Sequence, residues 1–264
     1  MDSEHILKIK NANVFLEGTK ILSDINWELK KGENCFILGS NGAGKTTLVK
    51  LIMGLVWPVY GAEVSVLGNT YGRCNLSEIR KKIAWVSPFL QSWTGPRWTA
   101  LEVVISGIDG TIGLFRKPGE KEIEKALSVM RQLDCETLSK HFFDKVSSGE
   151  QVKILIARAL MTSPELIILD EACVHLDLKS REFLLDTIED FASKKNSPTI
   201  IFITQRIEDI SPVFNYGLIL KNGRIILSGK RDAVLTEENL FTAFDMNIKL
   251  HRTEDGRYWS VLHK

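Results

Sequence analysis

The sequence predicts an α/β fold: a mostly parallel sheet flanked by helices, with an antiparallel β region at the N-terminus and a helical lobe inserted midway. Three observations carry that prediction. Short, continuously apolar runs at 35–38 and 166–169 read as buried strands, the habit of parallel sheets, and 199–204 as a further strand of mostly apolar residues. The first two lead into stretches of helical spacing, which gives a strand–helix–strand order. The first 30 residues alternate in the manner of half-buried strands instead.

Element by element, Ile6, Lys8 and Lys10 fall on one side of an opening strand and Leu7 and Ile9 on the other, and Val14-Phe15-Leu16 follows after Asn-rich punctuation. Residues 21–30 form the next strand, closed by the turn Lys30-Lys31-Gly32-Glu33. After strand 35–38 and a glycine-rich loop, residues 46–55 place Leu48, Leu51, Ile52 and Leu55 on one helical face. Ile83-Ala84-Trp85-Val86 reads as a strand. Beyond it the chain turns helical, with Ile123, Ala126, Leu127, Met130 and Leu133 lining one face of a helix over 120–133 and a second helix over 147–160. Strand 166–169, helix 180–193 and strand 199–204 follow, then a hairpin of 216–220 with 224–227 over Lys221-Asn222-Gly223. The tail reads as a helix and a terminal hairpin. The expected organisation is a nucleotide-binding lobe from 1–87 and 164–235, a helical lobe over 88–163, and a tail over 236–264.

Composition narrows the function classes. Of 264 residues, 34 are Lys or Arg and 33 Asp or Glu, so a net charge of +1 leaves no basic surplus to hold nucleic acid or anionic lipid non-specifically. A charged fraction of 25% with seven prolines argues against disorder or a fibrous repeat. Apolar runs such as Leu166-Ile167-Ile168-Leu169 fall short of the about 20 residues that span a bilayer. The polar start Met1-Asp2-Ser3-Glu4-His5 lacks a signal-peptide core. A cytosolic protein is expected. The four cysteines, Cys35, Cys74, Cys135 and Cys173, and the five histidines show no metal-ligand spacing.

Two motifs carry chemistry. Gly39-Ser40-Asn41-Gly42-Ala43-Gly44-Lys45-Thr46 fits G-x-x-x-x-G-K-[ST] between a buried strand and a helix. Glycines there let backbone N–H groups converge on phosphate oxygens at a helix N-terminus, Lys45 reaches the β- and γ-phosphates, and the Thr46 hydroxyl can ligate Mg²⁺. Asp170 and Glu171 close the apolar run 166–169, at the strand end where open α/β sheets bind ligands. Asp170 would hold Mg²⁺ through water, and Glu171 would orient and deprotonate the attacking water. Together they predict a nucleoside triphosphatase that uses Mg²⁺.

A third element opens the helix at 147: Val146-Ser147-Ser148-Gly149-Glu150-Gln151, in which Ser147 and Glu150 form a capping box, followed by Ala157-Arg158-Ala159-Leu160 and Pro164-Glu165. Here the sequence resembles the ATP-binding cassette (ABC) ATPases, P-loop NTPases whose signature L-S-G-G-Q precedes an A-R-A-L helix. Val146, Ser148 and Glu150 depart from that pattern and Ser147 and Gly149 keep it; Leu176-Asp177 looks like the family's D-loop. The resemblance covers roughly residues 5–235. It implies a head-to-tail dimer with two ATP molecules between subunits, each lying on one P-loop (39–46, with Thr47) and closed by Ser147, Ser148 and Gly149, with Asp177, of the other cassette. It also implies integral membrane permease subunits as partners, no nucleic acid, and a place on the cytoplasmic face of the membrane. The segments Val86-Ser87-Pro88, Ser147-Ser148-Gly149-Glu150 and Glu171-Ala172-Cys173 are similar to the molybdate-type ATPase branch.

Departures from the family pattern sharpen the expectations. The family's γ-phosphate histidine follows the strand here read as 199–204, where this chain has Gln205; no histidine lies between His175 and His251. Gln donates a hydrogen bond but carries no proton or charge, so either slow hydrolysis or a partner cassette that supplies a complete site is expected. The glutamine that links Mg²⁺ to the helical lobe aligns with Pro88, which leaves Gln91 as the candidate or as an ordinary loop residue. Phe15 is the candidate to stack on adenine, against a core role for it and against Leu16 in that position. Cys173 is a small packing residue. Trp93 and Trp98, around Gly95-Pro96-Arg97, either anchor a partner protein or pack within the lobe. Beside the transporter subunit, two further readings stand: a soluble cassette acting on an intracellular machine, and a weakly hydrolysing nucleotide switch.

Overall fold

The computed structural model describes residues 4–87, 97–111, 113–174, 176–194 and 197–263. The chain divides into two compact units, Met1–Arg80 with Ala192–Lys264 and Lys81–Phe191. Gln91 and Trp93 lie outside the described residues.

The first unit opens with β1 (His5–Leu16) and β2 (Thr19–Lys30), paired antiparallel. One unbroken strand therefore replaces the two pieces expected from the Asn-rich stretch. The asparagines bridge an irregularity instead of ending the strand. Asn11 and Asp24 both adopt left-handed φ, 53° each. Across the gap the Asn11 N–H donates to Asn26 Oδ1 at 2.9 Å and the Asp24 N–H to Asn13 Oδ1 at 3.0 Å. These side chains supply the partners that the shifted ladder withdraws. The same shifts explain why Ile6 and Leu7 are both buried.

β3 (Cys35–Leu38) is buried at every position and leads into α1 (Lys45–Ile52). β4 (Glu63–Val66), β5 (Asn69–Thr70) and α2 (Leu76–Arg80) follow. β4 joins β1 and β5 antiparallel, giving the sheet order β2-β1-β4-β5.

In the second unit β6 (Ile83–Val86) runs parallel to β7 (Leu166–Asp170), and between them lie α3 (Ala100–Ile105), α4 (Glu120–Gln132) and α5 (Ser148–Leu160). Of the face that the periodicity predicts, Ala126, Met130 and Leu133 are buried and Ile123 and Leu127 half-buried, while Val129, outside that face, is buried too. α6 (Leu178–Ala192) follows β7 and ends at the junction of the units.

Back in the first unit, β8 (Thr199–Thr204) and β9 (Tyr216–Lys221) flank β3, both parallel to it, and β10 (Arg224–Lys230) returns antiparallel along β9. The tail comprises α7 (Arg231–Val234), α8 (Glu237–Phe244) and the hairpin β11 (Ile248–Arg252) with β12 (Tyr258–Leu262). Among the described residues no helix is long and apolar enough to cross a membrane.

Candidate functional site

In the first unit the glycine-rich loop leaves buried β3 and enters α1 through Gly44, whose φ of 103° lies in the left-handed region that disfavours any side chain. No side chain caps this helix. A first turn leaves its N–H groups without intrahelical partners, and here the amides of Thr46 and Thr47 belong to it. Lys45 is 5% exposed, and its Nζ donates to the Gly39 and Ser40 carbonyls at 2.9 and 3.0 Å, so the ammonium sits inside the ring of the loop. An uncapped helix start, a wrapped ammonium and the open space around Gly42 fit a chain of phosphates.

The strands on either side fix what faces the loop. Leu38 pairs with Thr204 of β8 and with Ile219 of β9, so Gly39 and Gln205 leave adjacent parallel strands at the same level. The start of the next turn is anchored: the Thr204 hydroxyl donates to the buried Asp209 Oδ2 at 2.9 Å and accepts the Arg206 N–H at 3.0 Å. On the far side the Gly223 N–H donates to the Ala43 carbonyl at 2.9 Å, and the Ser23 N–H to the Gly223 carbonyl at 2.8 Å. The β9–β10 turn thereby ties the loop to β2. Phe15 pairs across to Lys20, one residue from Ile21, whose carbonyl lies beside Gly44. Its ring is 47% exposed with the Lys20 Nζ 5.6 Å from the centroid, which excludes a core role. Only the Lys-Asn-Gly turn signal hinted at the Gly223 tie.

In the second unit Asp170 ends β7 almost fully buried, 3% exposed. Glu171, half-buried, follows with φ 54°, a strained conformation for a glutamate. Such strain persists where surrounding structure imposes it, typically at sites of chemistry. A carboxylate and a hydroxyl are hard oxygen donors, so Asp170 and Thr46 each suit Mg²⁺ by chemistry. Cys173 is buried, as a packing residue should be.

The groups of the signature segment pair with one another. Ser147 and Glu150 close the predicted capping box: the Ser147 N–H and hydroxyl each donate to Glu150 Oε2 at 2.8 Å, and the Glu150 N–H donates to Ser147 Oγ at 3.4 Å. The Ser147 hydroxyl holds the Glu150 carboxyl below its ordinary pKa, and the helix start thus already accommodates one negative group. Ser148 opens α5 directly after the cap. Gly149 serves packing at this helix start. It is buried, and a Cβ there would meet Ser180 Oγ at 2.5 Å and Ser180 Cβ at 2.6 Å. Its lack of a side chain lets the starts of α5 and α6 touch. Asp177 in turn caps α6, accepting the Ser180 N–H and hydroxyl at 2.9 Å each, and these bonds lower its pKa. Trp98 packs within its unit, edge-on to Phe115 at 5.2 Å and over Gly113.

Comparison with known proteins accords with this geometry. The ABC transporter family profile matches residues 22–174. The ABC transporter ATP-binding protein YlmA of Bacillus subtilis is 39% identical over 251 residues, spanning 95% of each chain. Among solved structures, a chain of a metal-chelate type ABC transporter in an inward-facing conformation superimposes with a TM-score of 0.79 at 26% identity, covering 99% of this chain and 98% of that one. The dimeric bacterial ABC transporter cassette MJ0796 gives 0.73 at 26% identity, covering 85% and 98%. The molybdate import ATP-binding protein MolC of Haemophilus influenzae matches at 29% identity over 91% of this chain and 88% of its own length, below YlmA, so the molybdate branch is not singled out. The chain belongs to the ABC transporter family, as the ATP-binding, ATP-hydrolysing subunit of a transporter.

Proposed function

We propose that this subunit is a slow Mg-ATPase which pairs with a second copy of itself around two ATP molecules and drives a separate permease from the cytoplasmic face of the membrane. The observation that carries the kinetic part is the parallel register that sets Thr204 opposite Leu38, and hence Gln205 beside the start of the phosphate loop. In this reading the loop amides and Lys45 hold the β- and γ-phosphates. Phe15 stacks on the base. Glu171 orients the attacking water and accepts its proton. Gln205 donates a hydrogen bond to the γ-phosphate but cannot relay a proton or bring positive charge, which leaves the developing charge less well met. Magnesium, when bound, neutralises phosphate charge and polarises the γ-phosphoryl group. Thr46 in the first unit and Asp170 in the second offer it oxygen donors. Ser147, Ser148, Gly149 and Asp177 face the other copy's nucleotide, with Ser147 exchanging its bond to Glu150 for one to phosphate.

The test is Mg-ATP turnover of the purified wild type beside Gln205→His. The histidine variant is expected to turn over faster by about tenfold or more, the low end of what a positioned acid–base group contributes. An unchanged rate removes Gln205 as the limiting element.

A further inference from the structure

The tail takes no part in the site just described, yet two of its contacts land on segments that flank it. Glu208 lies in the 3₁₀ turn Ile207–Asp209, three positions beyond Gln205. Its Oε1 accepts the Ser260 N–H of β12 at 3.1 Å, and also the Ser260 hydroxyl. The turn is held from the opposite side by the Thr204–Asp209 and Arg206–Thr204 bonds. Gln205 therefore sits between a strand end and a turn that are both tied down. At the tail's other end the Lys221 Nζ donates to the Thr242 carbonyl at 2.8 Å and to the Asp245 carboxylate at 2.7 and 2.8 Å. Lys221 opens the turn whose Gly223 N–H supports the phosphate loop at Ala43. Within the tail, Glu237 accepts the Leu250 N–H at 3.2 Å and pairs with Lys249 at 2.7 Å, which joins α8 to the hairpin. The chain of ties runs from the phosphate loop through the tail to the segment after Gln205.

From this we infer that the C-terminal helix and hairpin brace the segment carrying Gln205, and that Glu208 and Ser260 are positioning residues for hydrolysis. Two donors converge on one carboxylate oxygen, a charge-assisted arrangement about twice as strong as a neutral bond, and it crosses 52 positions of chain. Without it the turn keeps the packing of buried Ile207 and its local bonds but loses this long-range tie, and its amides open more readily. The inference rests on the reading of Gln205 as the γ-phosphate contact.

Amide exchange of the nucleotide-free full chain tests the brace independently of activity. In Glu208→Ala, exchange across 204–210 should rise about tenfold while that across 39–47 stays within about twofold of wild type. Turnover should show kcat lowered about fivefold with KM within about twofold, the pattern of a lost transition-state contact. Glu208→Gln, whose amide oxygen still accepts both bonds but without the charge, should restore both readouts part of the way. Ser260→Ala, which removes one donor alone, should give a smaller change in the same direction, and carries the test if Glu208→Ala does not fold. Wild-type exchange and kcat in Glu208→Ala, or equal loss in Glu208→Gln, overturn the inference. Gln205→Ala separates the two ideas. Wild-type kcat in that variant overturns the reading of Gln205 and the catalytic half of the brace with it. A lowered kcat there, beside an unchanged Glu208→Ala, overturns the brace alone.

Discussion

Replacing Gly149 with alanine sets two effects of opposite sign against each other. Gly149 is the second residue of α5, where alanine in place of glycine favours a helix by up to about 1 kcal/mol. The added Cβ, however, would stand 2.5 Å from Ser180 Oγ and 2.6 Å from Ser180 Cβ, against 3.4 Å for ordinary contact. Rotating the serine moves its hydroxyl away but not its Cβ, so the backbone at the start of α6 must give by about 0.8 Å. Overpacking of this kind costs about 1–3 kcal/mol, more than the helix gains, and it pulls Ser180 off the Asp177 cap. Urea denaturation of Gly149→Ala should therefore show a net loss of about 1–2 kcal/mol, a midpoint about 0.5–1 M lower at an ordinary slope. Ser180→Gly opens the space. In the double variant most of the loss should vanish beyond what Ser180→Gly costs alone, which appears as a favourable coupling in a double-mutant cycle. A Gly149→Ala protein as stable as wild type, or one that Ser180→Gly does not rescue, would refute the packing argument.

Two further expectations concern the base and the effect of acid. Phe15→Ala should weaken ATP binding by about 1–3 kcal/mol in titration calorimetry, with Phe15→Trp near wild type; equal affinity in the alanine variant would remove Phe15 from the base site. Glu150 and Asp177 have folded-state pKa values lowered by Ser147 and Ser180 respectively. Their caps therefore stabilise the fold fully above the unfolded values of about 4.3 and 3.9 and lose effect as pH falls through the lower folded values. Thermal melts should hold a steady midpoint down to about pH 5 and fall below about pH 4, with a shallower fall in Ser180→Ala; a midpoint that rises on acidification would contradict this.

Much of the first unit was legible because its signals are local. The continuous apolar run Cys35–Leu38 marks β3 to the residue, and β8 is marked by the apolar run 200–203 between two threonines, since a strand buried on both faces has an unbroken apolar middle. The phosphate loop and the capping box are short-range constructions with fixed spacing, and the structure builds both as read. Helix 46–55 proved shorter, ending at Ile52, where Gly54 turns the chain at φ 64°. What was not legible depends on partners distant in sequence. Asn11 and Asn13 look like turn residues until Asn26 and Asp24 lie opposite them. Gly149 looks bare until Ser180 fills the space above it. The ties of Gly223 to Ala43 and of Glu208 to Ser260 have no local pattern at all. Strands as short as Glu63–Val66 and Asn69–Thr70 carry too few residues to display a period.

The claim that this chain closes on ATP as a pair of cassettes is tested most directly by weighing it. Glu171→Gln removes the general base but leaves the phosphate loop intact, so bound ATP should persist and with it the closed pair. By light scattering during gel filtration, the variant should run at the mass of one chain without nucleotide and of two chains with Mg-ATP, while the wild type returns to one chain as ATP is consumed. A Glu171→Gln protein whose mass is the same with and without Mg-ATP would contradict the account.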